Sequence, residues 1–288
     1  MKLIEVEPNK GSTFPKRLLD IKKCPKKLYI EGNIKLLNSI GIAVIGSRHH
    51  SEYGKRMCKY FIKELVRYGV TIICGMAEGI DTIAHKTCLE NGGNTIAVLP
   101  CGLNKIFPKI NKNLYKDIIN LGGTAVSEYS LNESADSKKF LERNRIVAGL
   151  GIATLVIEAG YRSGTSVTAR LTKEQGKCVF CVPSSLENYK GITGNRLIQK
   201  GGKLVTCIED ILNEFRDIKF IKKESIEVNE LIDKEFLDVY RILSYNPQHI
   251  NEISKKIKLS INDVSYKLMM LEIEGHIIQL PGKNFIRR

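Results

Sequence analysis

The strongest local chemical pattern is AGYRSGTSVTAR at positions 159–170, which follows an apolar run of the strand type. Its central residues are Arg162, Ser163, Gly164 and Thr165. A cation, hydroxyls and exposed amides at one strand-to-helix turn form a suitable anion site. A tight turn whose Ser and Thr side chains cap the following helix fits the same residues. The loop alone therefore leaves an anion site and a structural turn open.

A second loop, CGLNKIFPKINKN at 101–113, interleaves lysines with an aromatic side chain. It contains Lys105, Phe107, Lys109 and Lys112. Cations neutralise phosphates and an aromatic ring stacks on a base, so this pattern predicts sequence-tolerant contact with nucleic acid. The alternative is a solvated loop in which Phe107 is tucked into the core.

A third loop, GSRHHSEYG at 46–54, places Ser47 and Arg48 between a buried strand and a helix that Ser51 can cap. Arg48 could be an ordinary surface arginine. Its position directly after a buried strand favours a contact with a ligand, because ligands of open α/β sheets bind outside the carboxyl ends of the strands.

The segment SKKFLERNRIVAGLG at 137–151 carries two arginines near the start of an apolar helix. Arg143 and Arg145 flank Asn144, and guanidinium groups in such a position bind either an anion or a carboxylate partner. The residues alone favour neither a ligand contact nor a structural ion pair.

Acid/base and metal chemistry have weaker support in the sequence. Asp81 and His85 share a helix face near Glu78, but a helix cap and a satisfied polar group are the favoured interpretation. Cys178 and Cys181 form a CxxC within a strand-like run, where residues three apart point to opposite faces. No G-x-G-x-x-G or Walker A motif is present. Dinucleotide binding and ATP hydrolysis therefore lose their usual sequence support, and we expect no metal and no cofactor.

Seven short apolar runs must position these loops. They are GIAVIGS (41–47), VTIICGM (70–76), NTIAVLP (94–100), TAVSEY (124–129), ATLVIEAG (153–160), KCVFCVP (177–183) and KLVTCI (203–208). Helical patterns separate most of them, and their unbroken apolar character indicates strands covered on both faces. The spacing predicts an α/β fold of the Rossmann type, with a doubly wound and mostly parallel sheet.

Changes in pattern along the chain predict four segments. Residues 1–40 are an N-terminal extension packing on the core, 41–213 the Rossmann-like domain, and 214–231 a linker. Residues 232–288 contain helical segments at 233–244, 249–257 and 261–274 followed by a hairpin, the outline of a winged helix. Its third helix carries Asp263, Glu272 and Glu274 against Lys267 alone. That acidic surface favours protein contact or support of a dimer over reading of the major groove. Lys283, Arg287 and Arg288 on the wing leave an auxiliary phosphate contact open.

The net charge of +14 favours a polyanionic partner. From Glu230 onward, nine Lys and Arg face eight Asp and Glu, so residues 1–229 carry +13 of the total. No apolar run approaches the roughly 18 residues that cross a bilayer, and acids occupy the N-terminus where a signal peptide is apolar. We expect a cytoplasmic protein without membrane contact.

Taken together and in order, the motifs closely resemble those of the bacterial DNA-processing family DprA, also called Smf. The segments that carry the resemblance are FPKRLLDIKKCPKKLYIEGN, IAVIGSRHHSEYG, CGMAEGIDTIAH, GGNTIAVLPCGLNKIFPKIN, RNRIVAGL, VIEAGYRSGTSVTAR and GITGNRLIQKGG. The resemblance implies a Rossmann-like domain that binds single-stranded DNA without catalysis. It also implies a homodimer and transfer of incoming strands to the recombinase RecA in natural transformation.

The resemblance places the DNA pocket on Ser47, Arg48, Lys105 and Phe107. It places the RNR and SGT signatures, at 143–145 and 163–165, near the same face. With Lys109 and Arg162, these residues form the predicted DNA-binding set. The family often has FP before RNR, whereas Leu141 stands here, and its Pro-Gly after the sixth strand is Pro183-Ser184.

An enzyme is the competing class of function. The Lonely Guy nucleotide phosphoribohydrolases share a Gly-rich strand-end loop of the form PGGxGTxxE. Thr168 stands here where the Glu would fall, so the general acid/base for glycosidic cleavage is missing. A third class, a winged-helix transcription regulator, is disfavoured by the acidic third helix of residues 232–288.

Overall fold

The apolar runs of the sequence pair into one mixed β-sheet. A computed structural model describes residues 3–8, 13–160, 163–222, 233, 235–244 and 246–287, and its large sheet has nine strands in the order β1-β2-β6-β5-β4-β3-β7-β8-β9. The strands are β1 (Ile4–Val6), β2 (Leu28–Gly32), β3 (Gly41–Ile45), β4 (Thr71–Cys74), β5 (Thr95–Val98), β6 (Thr124–Ser127), β7 (Ala153–Val156), β8 (Cys178–Cys181) and β9 (Lys203–Leu204).

The strands from β3 to β9 are mutually parallel. All residues of β3 to β7 are buried, which explains why these runs are apolar without alternation. The predicted doubly wound, mostly parallel sheet is confirmed.

The antiparallel edge of the sheet does not follow from the apolar runs. β1 pairs with β2, and β2 pairs with β6, both in antiparallel register. β2 alternates, with Leu28 and Ile30 buried between half-exposed neighbours. Such short, alternating segments give a weaker signal than a fully buried strand. Within the predicted N-terminal extension, β1 and β2 thus extend the sheet itself.

Helices cover both faces of this sheet. They are α1 (Glu52–Arg67), α2 (Ile80–Glu90), α3 (Lys112–Asn120), α4 (Ser137–Leu150), α5 (Gly164–Glu174), α6 (Ile192–Gln199) and α7 (Glu209–Leu212). Alternate residues of β3 belong to different buried clusters. Ile42 lies in the cluster that contains Phe61 of α1, and Ala43 in the one that contains Ile146 of α4.

The order of strands reverses at β3, which lies between β4 and β7. The chain moves from β3 through β4, β5 and β6 in one direction and then returns to place β7 on the other side of β3. The loops that follow β3 and β7 therefore diverge at a topological switch point, where open α/β sheets bind their ligands.

The C-terminal residues form a second unit, Glu224–Arg288, distinct from Met1–Lys223. It contains α8 (Leu237–Ile242), β10 (Gln248–His249), α9 (Ile250–Ile257), α10 (Ile261–Ile273), β11 (Ile277–Leu280) and β12 (Asn284–Arg287). Its three strands pair antiparallel in the order β10-β12-β11. Val239, Ile253 and Leu268, one from each helix, are fully buried. The predicted winged helix is confirmed.

Half of the predicted linker, residues 223–231, lies outside the described residues. Within the parts of the chain that the structure describes, no helix is long and apolar enough to cross a membrane.

Candidate functional site

The loop after β3 presents Arg48 at the carboxyl edge of the sheet. Ser51 caps α1, since its hydroxyl accepts a hydrogen bond from the Gly54 amide at 3.0 Å. Ser47 builds the turn, because its hydroxyl accepts from the His49 amide at 3.1 Å and its carbonyl from the Ile80 amide at 3.1 Å. Arg48 itself is exposed.

The loop after β5 presents Lys105 and Phe107 on the same edge. The Cys101 thiol donates to the Lys105 carbonyl at 2.8 Å, and the Ser127 hydroxyl donates to the Cys101 carbonyl at 2.7 Å. Asn111 anchors the other end of the loop by donating to the Met76 carbonyl at 2.9 Å. These bonds fix the backbone while 43% of Phe107 stays exposed. Phe107 is not tucked into the core.

Phe140 joins the two loops. The Arg48 guanidinium lies over its ring, 5.2 Å from the centroid. Phe107 packs on it edge-to-face, with 5.5 Å between ring centroids and 74° between ring planes. Sequence reasoning selected the RNR motif at 143–145 and not Phe140. Phe140 lies one helical turn before Arg143 and thus near the same side of α4. That periodicity is the signal that could have identified it.

The cations on this edge have no carboxylate partner among the residues that the structure describes. Arg48, Lys105, Lys109 and Lys112 are exposed, and none forms an ion pair with a carboxylate of the described residues. Unpaired cations beside exposed aromatic rings are the combination that binds an unstacked nucleic-acid strand.

Arg143 does not lie on this surface. It is 4% exposed, and its Nη1 donates to the Gly75 carbonyl at 2.5 Å and to the Val98 carbonyl. Burial lowers the pKa of the Arg143 guanidinium, and the nearby Asp81 carboxylate opposes that shift. The Asp81 carboxylate in turn accepts from the Gly75 amide at 2.9 Å and the Ala77 amide at 3.3 Å. The buried Arg143 side chain thus links the carboxyl ends of β4 and β5.

The rest of the RNR motif is also engaged within the protein. Arg145 donates to both carboxylate oxygens of Glu128, at 2.6 and 2.5 Å, and to the Lys23 carbonyl at 2.8 Å. The Asn144 side-chain oxygen accepts from Arg143 Nε at 3.3 Å. The carboxylate partner considered for this motif is therefore present.

The N-terminus of α5 lies at the switch point. Gly164 is exposed, and the Ser163 hydroxyl is buried without a partner among the described residues. Thr165 is 7% exposed, and its hydroxyl donates to the Gly46 carbonyl at 3.2 Å. Arg162 lies outside the described residues. Thr165 therefore joins the loops of β3 and β7, whereas Gly164 leaves the first amides of α5 accessible.

Glu158, at the end of β7, is a buried residue that motif reasoning missed. It is 2% exposed, and its carboxylate accepts from the Ser51 amide at 2.7 Å, the Ser51 hydroxyl at 2.6 Å and Asn188 Nδ2 at 2.9 Å. A carboxylate that closes an otherwise apolar run was the available signal. The Glu158 carboxylate therefore links the loop after β3 to the loop after β8.

Asp81 and His85 have structural partners. The Thr95 hydroxyl donates to the Ile72 carbonyl at 2.9 Å, so it accepts from His85 Nδ1 at 2.7 Å. Burial, aided by the Arg143 charge, lowers the pKa of His85 to about 3, which keeps the imidazole neutral. Across the described ranges, no three His, Cys, Asp or Glu side chains are grouped to hold a metal ion.

Family models match both units of the chain. The model for DNA recombination-mediator protein A covers residues 8–216, and the DprA winged helix domain covers residues 232–283. The Escherichia coli (strain K12) Protein Smf is 34% identical over 285 residues, which span 96% of this chain and 75% of that protein. The Streptococcus pneumoniae DNA processing protein DprA is 40% identical over 202 residues, spanning 70% and 71% respectively.

Two solved structures share the fold at substantial sequence identity. The X-ray structure of DprA from Streptococcus pneumoniae has a TM-score of 0.70 and 37% identity, covering 75% of each chain. DNA processing protein A from Helicobacter pylori has a TM-score of 0.67 and 31% identity, covering 75% of this chain and 96% of that one. That structure concerns the single-stranded DNA binding mode of the Helicobacter pylori protein.

Proposed function

The chain belongs to the DNA recombination-mediator protein A family, also called DprA or Smf, and from this premise we propose that it binds single-stranded DNA at the carboxyl edge of its large sheet. The single observation that carries the proposal is the Arg48–Phe140–Phe107 cluster, in which a cation and two rings lie in contact beside unpaired lysines.

This cluster suits a single strand better than a duplex. The faces of the bases are accessible in a single strand, and stacking of one base on an aromatic side chain contributes about 1–3 kcal/mol. Arg48, Lys105 and Lys109 neutralise phosphates without reading the sequence. In the winged-helix unit, the Lys267 ammonium of the third helix already pairs with the Asp238 carboxylate at 3.0 Å.

The predicted binding residues divide into two groups in this proposal. Arg48, Lys105, Phe107 and Lys109 form the contact surface, together with Phe140 and the start of α5 at Ser163 and Gly164, and Arg162 stays a predicted contact outside the described residues. The predicted residues Ser47, Arg143, Asn144, Arg145 and Thr165 support that surface from within, because their polar groups already bond to protein atoms.

Binding by this surface requires no bond cleavage, and we propose that the protein is not an enzyme. Thr168 stands where a phosphoribohydrolase would place its Glu, and it is 3% exposed. Its hydroxyl donates to the Gly164 carbonyl of its own helix at 3.5 Å. It therefore supplies neither a carboxylate nor a free hydroxyl to a substrate.

The family further supports a homodimer that protects incoming strands and transfers them to RecA in natural transformation. RecA assembly on a labelled strand should be faster with this protein than without it. Light scattering should give twice the mass of the 32.4 kDa chain. Unchanged RecA assembly together with a monomeric mass would contradict these two assignments while leaving DNA binding intact.

The deciding experiment compares a fluorescently labelled dT20 strand with a duplex of the same length, titrated at several salt concentrations. We expect tighter binding of the single strand and an affinity that falls with salt. The proposal is overturned by equal or tighter binding of the duplex. Release of free base from a nucleoside monophosphate would restore the enzyme alternative.

A further inference from the structure

The loop between β8 and α6 exposes two large apolar side chains at the carboxyl edge of the sheet. Leu186 is 83% exposed and Tyr189 75% exposed. Most large apolar side chains in this unit are buried, so two exposed ones three residues apart in one loop point to a binding role. None of the contacts assigned above involves either residue.

The backbone of this loop is fixed. Asn188 Nδ2 donates to Glu158 and to the Ser184 hydroxyl, both at 2.9 Å, and the Asn188 side-chain oxygen accepts from the Lys190 amide at 3.1 Å. The Ser184 amide donates to the Asn195 side chain at 3.0 Å. The exposure of Tyr189 is therefore a property of an ordered turn.

The loop is continuous with the Arg48 surface. β8 is parallel to β7 and β7 to β3, so the loops after β3 and β8 leave the same edge of the sheet. Lys190 Nζ donates to the His50 carbonyl at 3.4 Å, and Glu158 bonds to both Ser51 and Asn188. The two loops thus form one ridge that carries the charges of Arg48 and Lys190.

The spacing of the strands sets the distance between the aromatic groups. The loops of Phe107 and Tyr189 follow β5 and β8, which are four positions apart in the sheet. At about 4.8 Å per strand, this separation is about 19 Å. A single DNA strand with a rise of about 3.4 Å per nucleotide covers that distance with about six nucleotides, and with fewer when the DNA is stretched.

We propose that Tyr189 and Lys190 form a second contact point for single-stranded DNA, a few nucleotides along the strand from Phe107. Tyr189 stacks on a base, and Lys190 contacts the adjoining phosphate. This inference rests on the proposed function and extends its site across the switch point. Glu187, exposed in the same loop, offsets the charge of Lys190, so stacking supplies most of the affinity of this contact.

The test uses the full-length protein and oligothymidylates of two lengths. Tyr189→Ala should weaken binding of dT12 about tenfold, the order expected for one stacked base, and binding of dT4 less than twofold. Tyr189→Phe should restore dT12 binding, and the salt dependence should not change. Leu121→Ala is the matched control, because Leu121 is 64% exposed and precedes β6 at the opposite edge.

Photocrosslinking gives a second measurement that does not depend on affinity. A single 5-iodouracil moved along dT12 should crosslink to Tyr189 at positions a few nucleotides from those that crosslink to Phe107. Unchanged dT12 binding by Tyr189→Ala with normal weakening by Arg48→Ala would overturn this inference alone. Unchanged binding by Arg48→Ala as well would instead reject the proposed function.

Discussion

The Arg48 guanidinium lies 5.2 Å from the centroid of the Phe140 ring, although the two residues are far apart in sequence. Phe107 packs edge-to-face with the same ring. The cation and the stacking surface are therefore parts of one cluster, and changes to its members should have separable effects on DNA binding.

Removal of the exposed ring should weaken stacking alone. We expect Phe107→Ala to lower the affinity for dT20 about tenfold with an unchanged salt dependence, because no charge is lost. Phe140→Ala should have a larger effect, since it removes the support of both Phe107 and Arg48. Fluorescence anisotropy at three salt concentrations measures both quantities, and a changed slope for Phe107→Ala would contradict this division of roles.

Removal of a cation should change the salt dependence. Arg48→Ala and Lys105→Ala should each reduce the slope of log affinity against log salt by about 0.7, the value for one phosphate contact on a single strand. Lys35→Ala provides the control, because Lys35 is exposed after β2, near the opposite edge of the sheet. An equal change in slope for Lys35→Ala would show that overall charge, and not this site, determines binding.

Loss of the buried guanidinium should reduce stability. Arg143→Leu leaves the Gly75 and Val98 carbonyls without their donor, and we expect the free energy of unfolding to fall by about 3 kcal/mol. Urea denaturation measures this change, with the exposed Arg56→Ala as control. Gly75→Ala should also destabilise, since its Cβ would lie 2.5 Å from Arg143 Nη2. If Arg143→Leu keeps full stability but shows a smaller salt dependence of DNA binding, Arg143 is a DNA contact and not a buried support.

Neutralisation of Glu158 should loosen two loops together. Glu158→Gln replaces one acceptor oxygen with a donor that faces Ser51 or Asn188, so we expect a loss of about 1–3 kcal/mol in stability. Limited proteolysis should then cut the loops after β3 and β8 at increased rates. If either loop of Glu158→Gln is cut at the rate of the unchanged protein, the carboxylate does not couple the two loops.

The buried imidazole should make stability depend on pH. The pKa of His85 is lowered to about 3 in the folded chain, against about 6.5 when unfolded, so on acidification the unfolded chain takes up a proton first. The contribution is fully present above pH 6.5 and is lost as the pH falls towards 3, at about 1.4 kcal/mol per pH unit. His85→Asn should show a shallower loss between pH 6 and 4 in urea denaturation. Parallel curves of unfolding free energy against pH for the two proteins would contradict the assignment of this pH dependence to His85.

The sequence predicts the strands far better than the roles of individual arginines. Each of the seven apolar runs contains a strand. In β3 to β7 burial on both faces dictates unbroken apolar residues, whereas both residues of β9 are exposed. For Arg143 and Arg145 the sequence leaves a ligand contact and a structural ion pair equally open, since charge is visible there and burial is not. Phe140 and Glu158 acquire their roles through contacts with Arg48 and Asn188, which are far away along the chain.

The buried groups under the binding loops also determine which molecule loses freedom when a complex forms. Arg143, Asn111 and Glu158 hold the loops in place before any ligand arrives. The conformational entropy lost on association then comes mainly from the oligonucleotide, and a preformed surface avoids the additional loss that a folding loop would bring. Flexible thymidine tracts should therefore be favoured over adenine tracts, whose bases must first separate from one another.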